Sequence, residues 1–297
     1  MQRFVREQLD MNVEFMKREA LEMRRRVLKT AWRANGGHIA PAFSCIEIIE
    51  SLYFGDGRGL LQYDQNNPDW SGRDYFVLSK GHGGLALYAA LSMAGYFPES
   101  ELYHFCAIDG ILGSLASKTT PGVEVTGGSL GHGLSYAVGI AEACKRDGVN
   151  NHIYVLLGDG ECEEGSIWEA LMSASHLQLD NMTIIVDCNK LQAMDSVKSI
   201  MSIDNLAERG ESFGLSAMEI DGHDFHQIYY ALTARKALKP VFVVANTVKG
   251  KGVSFMENVP IWHYRIPNED EIQTACEELG MSIEDLGRKR QTFRVTI

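Results

Sequence analysis

Cysteine is sparse and unpatterned in this 297-residue chain. Cys45, Cys106, Cys144, Cys162, Cys188 and Cys276 form no CxxC pair and no metal-like spacing. That argues against a zinc site or disulfide framework and for reduced thiols in a cytoplasmic protein. Proline is scarce at 7 residues and no low-complexity tract is present, so disorder is expected only at the termini. No apolar run approaches the ~20 residues needed to cross a bilayer. The opening stretch MQRFVREQLDMNVEF is charged throughout and lacks the apolar centre of a signal peptide. Extended clusters of positive charge are also missing: the net charge is −11, and basic groups such as Arg24-Arg25-Arg26 and Lys249 to Lys251 are short. Nucleic acid and anionic membranes are therefore poor partners.

What is present is a globular composition, 45% hydrophobic and 23% charged. From residue 3 to 34, Phe4, Val5, Leu9, Met16, Leu21, Val27, Leu28 and Trp32 recur at helical spacing, which predicts a long amphipathic helix stopped by the glycines of NGGH. Short apolar runs follow: YFVLS (75–79), HIYVLL (152–157), MTIIVD (182–187), SAMEI (216–220) and VFVVANTV (241–248). Most do not alternate, as expected of strands buried on both faces. Helical patterns lie between them, for example GLALYAALSMAG, LSYAVGIAEACKR and SIWEALMSASHL. The alternation predicts an α/β fold, a parallel β-sheet flanked by helices on both faces. The expected division is an N-terminal helical extension (1–34), one α/β domain (35–267) and a C-terminal helical tail (268–297).

Ligands of such sheets bind beyond the carboxyl ends of the strands. Four loops qualify: SKGHGG (79–84), GGSLGHG (127–133), GDGECEEG (158–165) and DCNKLQ (187–192). Gly-Asp-Gly alone is a weak signal, because Gly55-Asp56-Gly57 repeats it after a helical pattern, where it is most simply a turn. The copy at Gly158-Asp159-Gly160 instead follows a strand and opens a helix, whose free N–H groups suit a phosphate. A carboxylate beside a phosphate needs a cation between them, and magnesium characteristically bridges one or two carboxylates to phosphate oxygens. Asn189 closes the next strand 30 residues after Asp159. Its amide oxygen and the Leu191 carbonyl could complete the donor set. Either residue alone would be read as a cap or a turn; the pair is read as a site.

That pairing resembles the thiamine diphosphate motif, and the segments around it resemble transketolase. ANGGHIAP, RDYFVLSKGHGGLALY, TPGVEVTGGSLGHGLSYAVG, IDGHDF and TVKGKGVSFMENVPIWH occur in family order from about residue 30 to 265. The resemblance implies that Asp159, Asn189 and the Leu191 carbonyl hold Mg²⁺, with Ca²⁺ and Mn²⁺ also suited to the oxygen set. It implies that Gly158 and Gly160 approach the diphosphate, that His82 and His263 contact it, and that Gly128 and Leu130 hold the cofactor. His38 would face the reacting carbonyl, while Glu164 and Glu169 would lie at the subunit interface. Function follows from the same resemblance: transfer of a two-carbon ketol unit from a ketose phosphate to an aldose phosphate. The family's pyrimidine-binding domain is not recognised here. The implied protein is the N-terminal subunit of a split transketolase, needing a separate C-terminal subunit in a heterotetramer of two plus two.

Several positions depart from the family pattern. Ser114 stands where a histidine that contacts the donor sugar is usual, His132 replaces a glutamine, and Tyr264-Arg265 follow His263 where glycine is common. These put the sugar in question, and a branched or sulfonated ketose fits such changes. Two other readings stay open: a different thiamine diphosphate reaction, such as deoxyxylulose phosphate synthesis or 2-oxo-acid decarboxylation, and a non-catalytic binding module.

Overall fold

A computed structural model describes residues 11–57 and 59–290. Its first helix, α1 (Val13–Ala34), is started by the Asn12 side chain, which accepts from the Phe15 N–H. Phe4, Val5 and Leu9 of the expected helix lie outside the described residues. At the other end the sequence expectation needs correction. Asn35, at φ 51°, takes the left-handed cap conformation and donates to the Ala31 and Trp32 carbonyls. Asparagine tolerates this region nearly as well as glycine. Gly37, two residues on, is needed for its own backbone (φ 120°) and for packing, since a Cβ there would sit 3.0 Å from Leu85 and 3.2 Å from the Phe105 ring.

After α2 (Ile39–Phe43) and α3 (Ile46–Tyr53) the chain turns through Gly55-Asp56-Gly57. Strand β1 (Tyr75–Leu78) leads to α4 (Gly84–Met93); α5 (His132–Asp147) precedes β2 (Ile153–Gly158), and α6 (Gly165–His176) precedes β3 (Met182–Cys188). Two short helices, α7 (Val197–Ile200) and α8 (Leu206–Ser212), come before β4 (Ser216–Asp221), α9 (Phe225–Thr233), β5 (Val241–Asn246) and α10 (Glu269–Glu278). The five strands among the described residues are all parallel, in the order β1-β2-β3-β5-β4.

The non-alternating strands are buried on both sides, with a separate apolar cluster on each. Tyr154 and Leu156 of β2 join the cluster of α1, α3 and α4, while Ile153, Val155 and Leu157 join that of α5 and α6. This is the period of two acting inside a fully apolar strand. α1 supplies Met16, Met23, Val27 and Leu28 to the first cluster, all at 0% exposure. Its burial therefore belongs to the main core, at roughly 25 cal/mol per Å² of apolar surface removed from water.

Among the described residues, the expected tail is α-helical only over α10, which starts in a capping box of Asn268 and Glu271. Beyond it Gly280 (φ 60°) and Gly287 (φ 72°) interrupt the helical pattern, leaving a single 3₁₀ turn at Glu284–Leu286. Leu286 is nonetheless buried in the first cluster.

Candidate active site

The carboxyl ends of β1, β2 and β3 bring three loops around a cavity of about 180 Å³. Register explains why they meet: Gly158 pairs with Asp187 across β2 and β3, so Asp159 and Asn189 leave adjacent strands side by side. His82, Leu130, Gly158, Asp159, Gly160, Asn189, Leu191 and His263 all line this cavity. His38 stands next to it, with ring centroids 4.5 Å from His82 and 5.4 Å from His263. Gly128 lies behind the lining. At φ +111° it lies close to Gly81, where an added Cβ would come within 3.3 Å of the Gly128 nitrogen. Glu164 and Glu169 do not reach the cavity and are exposed on this chain.

The helix expected over SIWEALMSASHL is present as α6, but Gly158-Asp159-Gly160 does not open it directly. Asp159 instead caps a 3₁₀ turn, Gly160–Glu163, and α6 begins only at Gly165. The turn lets Glu161 point inward, a role that sequence reasoning missed because four acids crowd one loop. Glu161 is 3% exposed and accepts from the N–H groups of Gly131 (2.9 Å) and Gly158 (3.0 Å) and from Ser79 Oγ. One carboxylate thus fastens three cavity loops, and Asp159 lines the cavity beside it.

Two lysines were also missed, although both lie in quoted segments. Lys80, in SKGHGG, is 6% exposed; its Nζ donates to the Pro41 carbonyl (2.8 Å), Ser44 Oγ (2.9 Å) and the buried Asp187 carboxylate. Burial is the largest single influence and acts to lower its pKa, but the charge of Asp187, Cys45, the hydrogen bond to Asp187 and the charge of Asp159 together outweigh it, and the net shift is upward. Lys249, in KGKG, donates to the carbonyls of Gln192 (2.8 Å) and Leu191 (3.3 Å) and meets His263 Nδ1 at 2.9 Å. An ammonium there makes Nδ1 an acceptor and leaves the imidazole proton on Nε2.

The electrostatics divide the cavity in two. Burial, then the charge of Asp187, raises Asp159 to about 6, against N–H donors from Lys190 and Gly160. A carboxylate placed in this way gains from a cation. Across the cavity, burial first of all lowers His38 and His82 to about 4 and His263 to about 2, with the Lys249 and Lys80 ammoniums adding at all three and neighbouring imidazoles at His38 and His263. Burial and Lys80 lower Lys249 to about 8. At neutral pH the three histidines are uncharged rings able to donate or accept, set against lysines that favour an anion. The oxygens of Asp159, Asn189 and Leu191 are hard donors of the kind magnesium takes. One end therefore suits a divalent cation and the other an anionic group.

The sequence profile of the transketolase, thiamine diphosphate binding domain matches residues 17–291. The chain belongs to the transketolase family. Relatives include one subunit of the apulose-4-phosphate transketolase of Actinobacillus succinogenes, 41% identical over 91% of this chain and 98% of the relative. The SqwG subunit of the 6-deoxy-6-sulfo-D-fructose transketolase of a Clostridium species is 38% identical over 89% and 96%. Human transketolase is 34% identical over 92% of this chain, which spans only 43% of it. The transketolase structure from Campylobacter jejuni superposes with a TM-score of 0.85 at 30% identity, covering 91% of this chain and 43% of that one. The chain is thus an N-terminal, thiamine diphosphate-binding transketolase subunit, matching single subunits of two such enzymes along nearly their whole length.

The positions that depart from the family pattern lie outside the cavity lining. Ser114 is exposed, on a loop whose Gly113 and Leu115 carbonyls accept from Tyr88 Oη at 3.1 and 3.2 Å. Tyr264 is 59% exposed, and its ring centroid is 4.7 Å from that of His38. Arg265 is held aside by Glu271 at 2.6 Å and by the Trp262 ring.

Proposed function

We propose that this subunit holds the thiamine diphosphate and divalent cation of a two-subunit transketolase, and transfers a two-carbon ketol unit from a ketose phosphate to an aldose phosphate. The observation that carries the reading is the meeting of Asp159, Asn189 and the Leu191 carbonyl with His82 and His263 around one cavity. Asp159, Asn189 and Leu191 would take Mg²⁺, with Ca²⁺ or Mn²⁺ as substitutes. Gly158 and Gly160 would approach the diphosphate, which His82, and His263 through its Nε2–H, would hydrogen-bond. Gly128 and Leu130 would support the bound cofactor. His38, kept neutral by its setting, would hydrogen-bond or protonate oxygens of the sugar. When bound, thiamine diphosphate supplies the nucleophilic carbon and the electron sink.

The partner would be a C-terminal, pyrimidine-binding subunit, in a cytoplasmic heterotetramer of two plus two, with Glu164 and Glu169 at the contact between subunits. A serine at 114 and an aromatic ring at 264, where the family pattern has histidine and glycine, favour a branched or sulfonated sugar as donor. The names of the apulose-4-phosphate and 6-deoxy-6-sulfo-D-fructose relatives support that. The test is an assay of ketol transfer with this chain alone and mixed with its partner, using ordinary, branched and sulfonated ketoses. Transfer is expected only in the mixture; activity from this chain alone would refute the two-subunit reading.

A further inference from the structure

The segment LGRKR (286–290) carries three cations and no acid in a protein of net charge −11. Lys289 turns away onto the Trp32 ring, 3.4 Å from its centroid. Arg288 and Arg290 instead meet Arg33, from the last turn of α1, around a surface cleft of about 390 Å³ completed by Tyr103 and Gly287. The cleft shares no lining residue with the candidate active site.

None of these three arginines is in an ion pair among the described residues. Arg33 lies over the Tyr103 ring, 3.7 Å from its centroid, and its Nε donates to the Leu286 carbonyl. Arg290 donates to the carbonyls of Phe105 (3.1 Å) and Tyr103 (2.8 Å). Arg288 is exposed and has no hydrogen-bond partner among the described residues. Asp109 feels the charge of Arg290, but its carboxylate meets His104 at 3.3 Å and does not line the cleft.

Backbone carbonyls therefore orient the Arg33 and Arg290 guanidinium groups without neutralising them, and Arg288 stands free beside them. Each guanidinium has five N–H donors in a planar fork, and most are left uncommitted here. Three like charges held together by the fold repel one another, and a bound anion relieves that cost while filling the free donors. Two of the arginines are half-buried and the third is exposed at the rim, an arrangement for enclosing a small ligand. We infer that this cleft is a binding site for a tetrahedral oxyanion, the phosphate or sulfonate group of a small metabolite. It lies close behind the active site: the carbonyl of Phe105 holds Arg290, and its ring packs against Gly37, the residue before His38.

The full chain would be titrated with inorganic phosphate and, separately, with methanesulfonate, against chloride at matched ionic strength. The side-chain Nε–H resonances of Arg33 and Arg290 report on this cleft without interference from anions bound elsewhere. Saturable shifts are expected. Arg288→Glu should weaken binding at least about tenfold, the effect of losing one charged hydrogen bond, with an unchanged thermal midpoint. Lys198→Glu, in another part of the surface, should leave the affinity as it is. Response to phosphate alone assigns phosphate esters, and response to both probes admits sulfonates. Shifts that do not saturate, that chloride reproduces, or that Arg288→Glu leaves intact would overturn the site. So would shifts caused by an acidic peptide and by neither small anion, which would assign the surface to protein docking.

Discussion

Lys80→Met removes a buried ammonium and leaves Asp187 in place, which makes it a sharp test of how the site is held. Asp187 is 0% exposed at the end of β3, and keeps Ser44 Oγ (2.6 Å) and Thr247 Oγ1 as donors. The substitution also strips the Pro41 carbonyl of its 2.8 Å partner. Breaking a buried ion pair from one side costs about 3–5 kcal/mol, because the surviving charge stays desolvated. Total stabilities are only about 5–15 kcal/mol, so equilibrium urea denaturation should show the loss clearly at neutral pH. Lys80→Met combined with Asp187→Asn removes both charges and should recover more than about 2 kcal/mol of it, as expected of directly interacting residues. A loss below about 1 kcal/mol for the single substitution, or none recovered in the double one, would refute the view that this pair anchors the β1 loop to the end of β3.

Other outcomes follow from the same structure. Glu50 is fully buried, its carboxylate oxygens make no hydrogen bond, and burial, then Glu19 and Glu47, raises its pKa from 4.5 to about 9. The native state therefore keeps a proton that the unfolded chain has released, so this group's contribution falls as pH rises from 4.5 to 9. By linkage the penalty is about 3 kcal/mol at pH 7. Glu50→Met should stabilise the protein by about that much at neutral pH and by little near pH 4.5; a gain that does not grow with pH would contradict the assignment. Asp159→Ala should abolish cation-dependent binding of thiamine diphosphate by calorimetry, whereas Asp56→Ala, in the turn after α3, should leave it unchanged. Glu164→Gln with Glu169→Gln, both exposed on this chain, should change its stability by less than about 0.5 kcal/mol while weakening association with the partner subunit in sedimentation experiments. Unaltered association would remove them from the interface.

Much of the fold was legible because its strands are short, apolar and punctuated by glycine-rich loops. β3 was expected over 182–187 and runs over 182–188; β2 extends to Gly158 rather than ending at Leu157. The cavity lining was legible through its glycines, Asp159 and Asn189, which are unusual at strand ends. Lys80, Lys249 and Glu161 were harder to find. A lysine or glutamate in a polar loop is ordinarily solvated, and only packing from α2 and from neighbouring loops buries these three. The Asn35 cap was missed because two glycines beside it offered the commoner solution.

By itself the sequence determined the strand and helix periods, the parallel sheet, and the residue types able to hold a cation and an anion at its carboxyl edge. Those depend on local chemistry and spacing along one chain. Tertiary structure decided which acids of GDGECEEG reach the cavity, which lysine is paired, and which arginines gather without an ion-pair partner among the described residues. Each of those outcomes depends on groups up to 257 residues apart, as Arg290 and Arg33 are, meeting at distances where desolvation and Coulomb forces act. No pattern read along the chain contains that information.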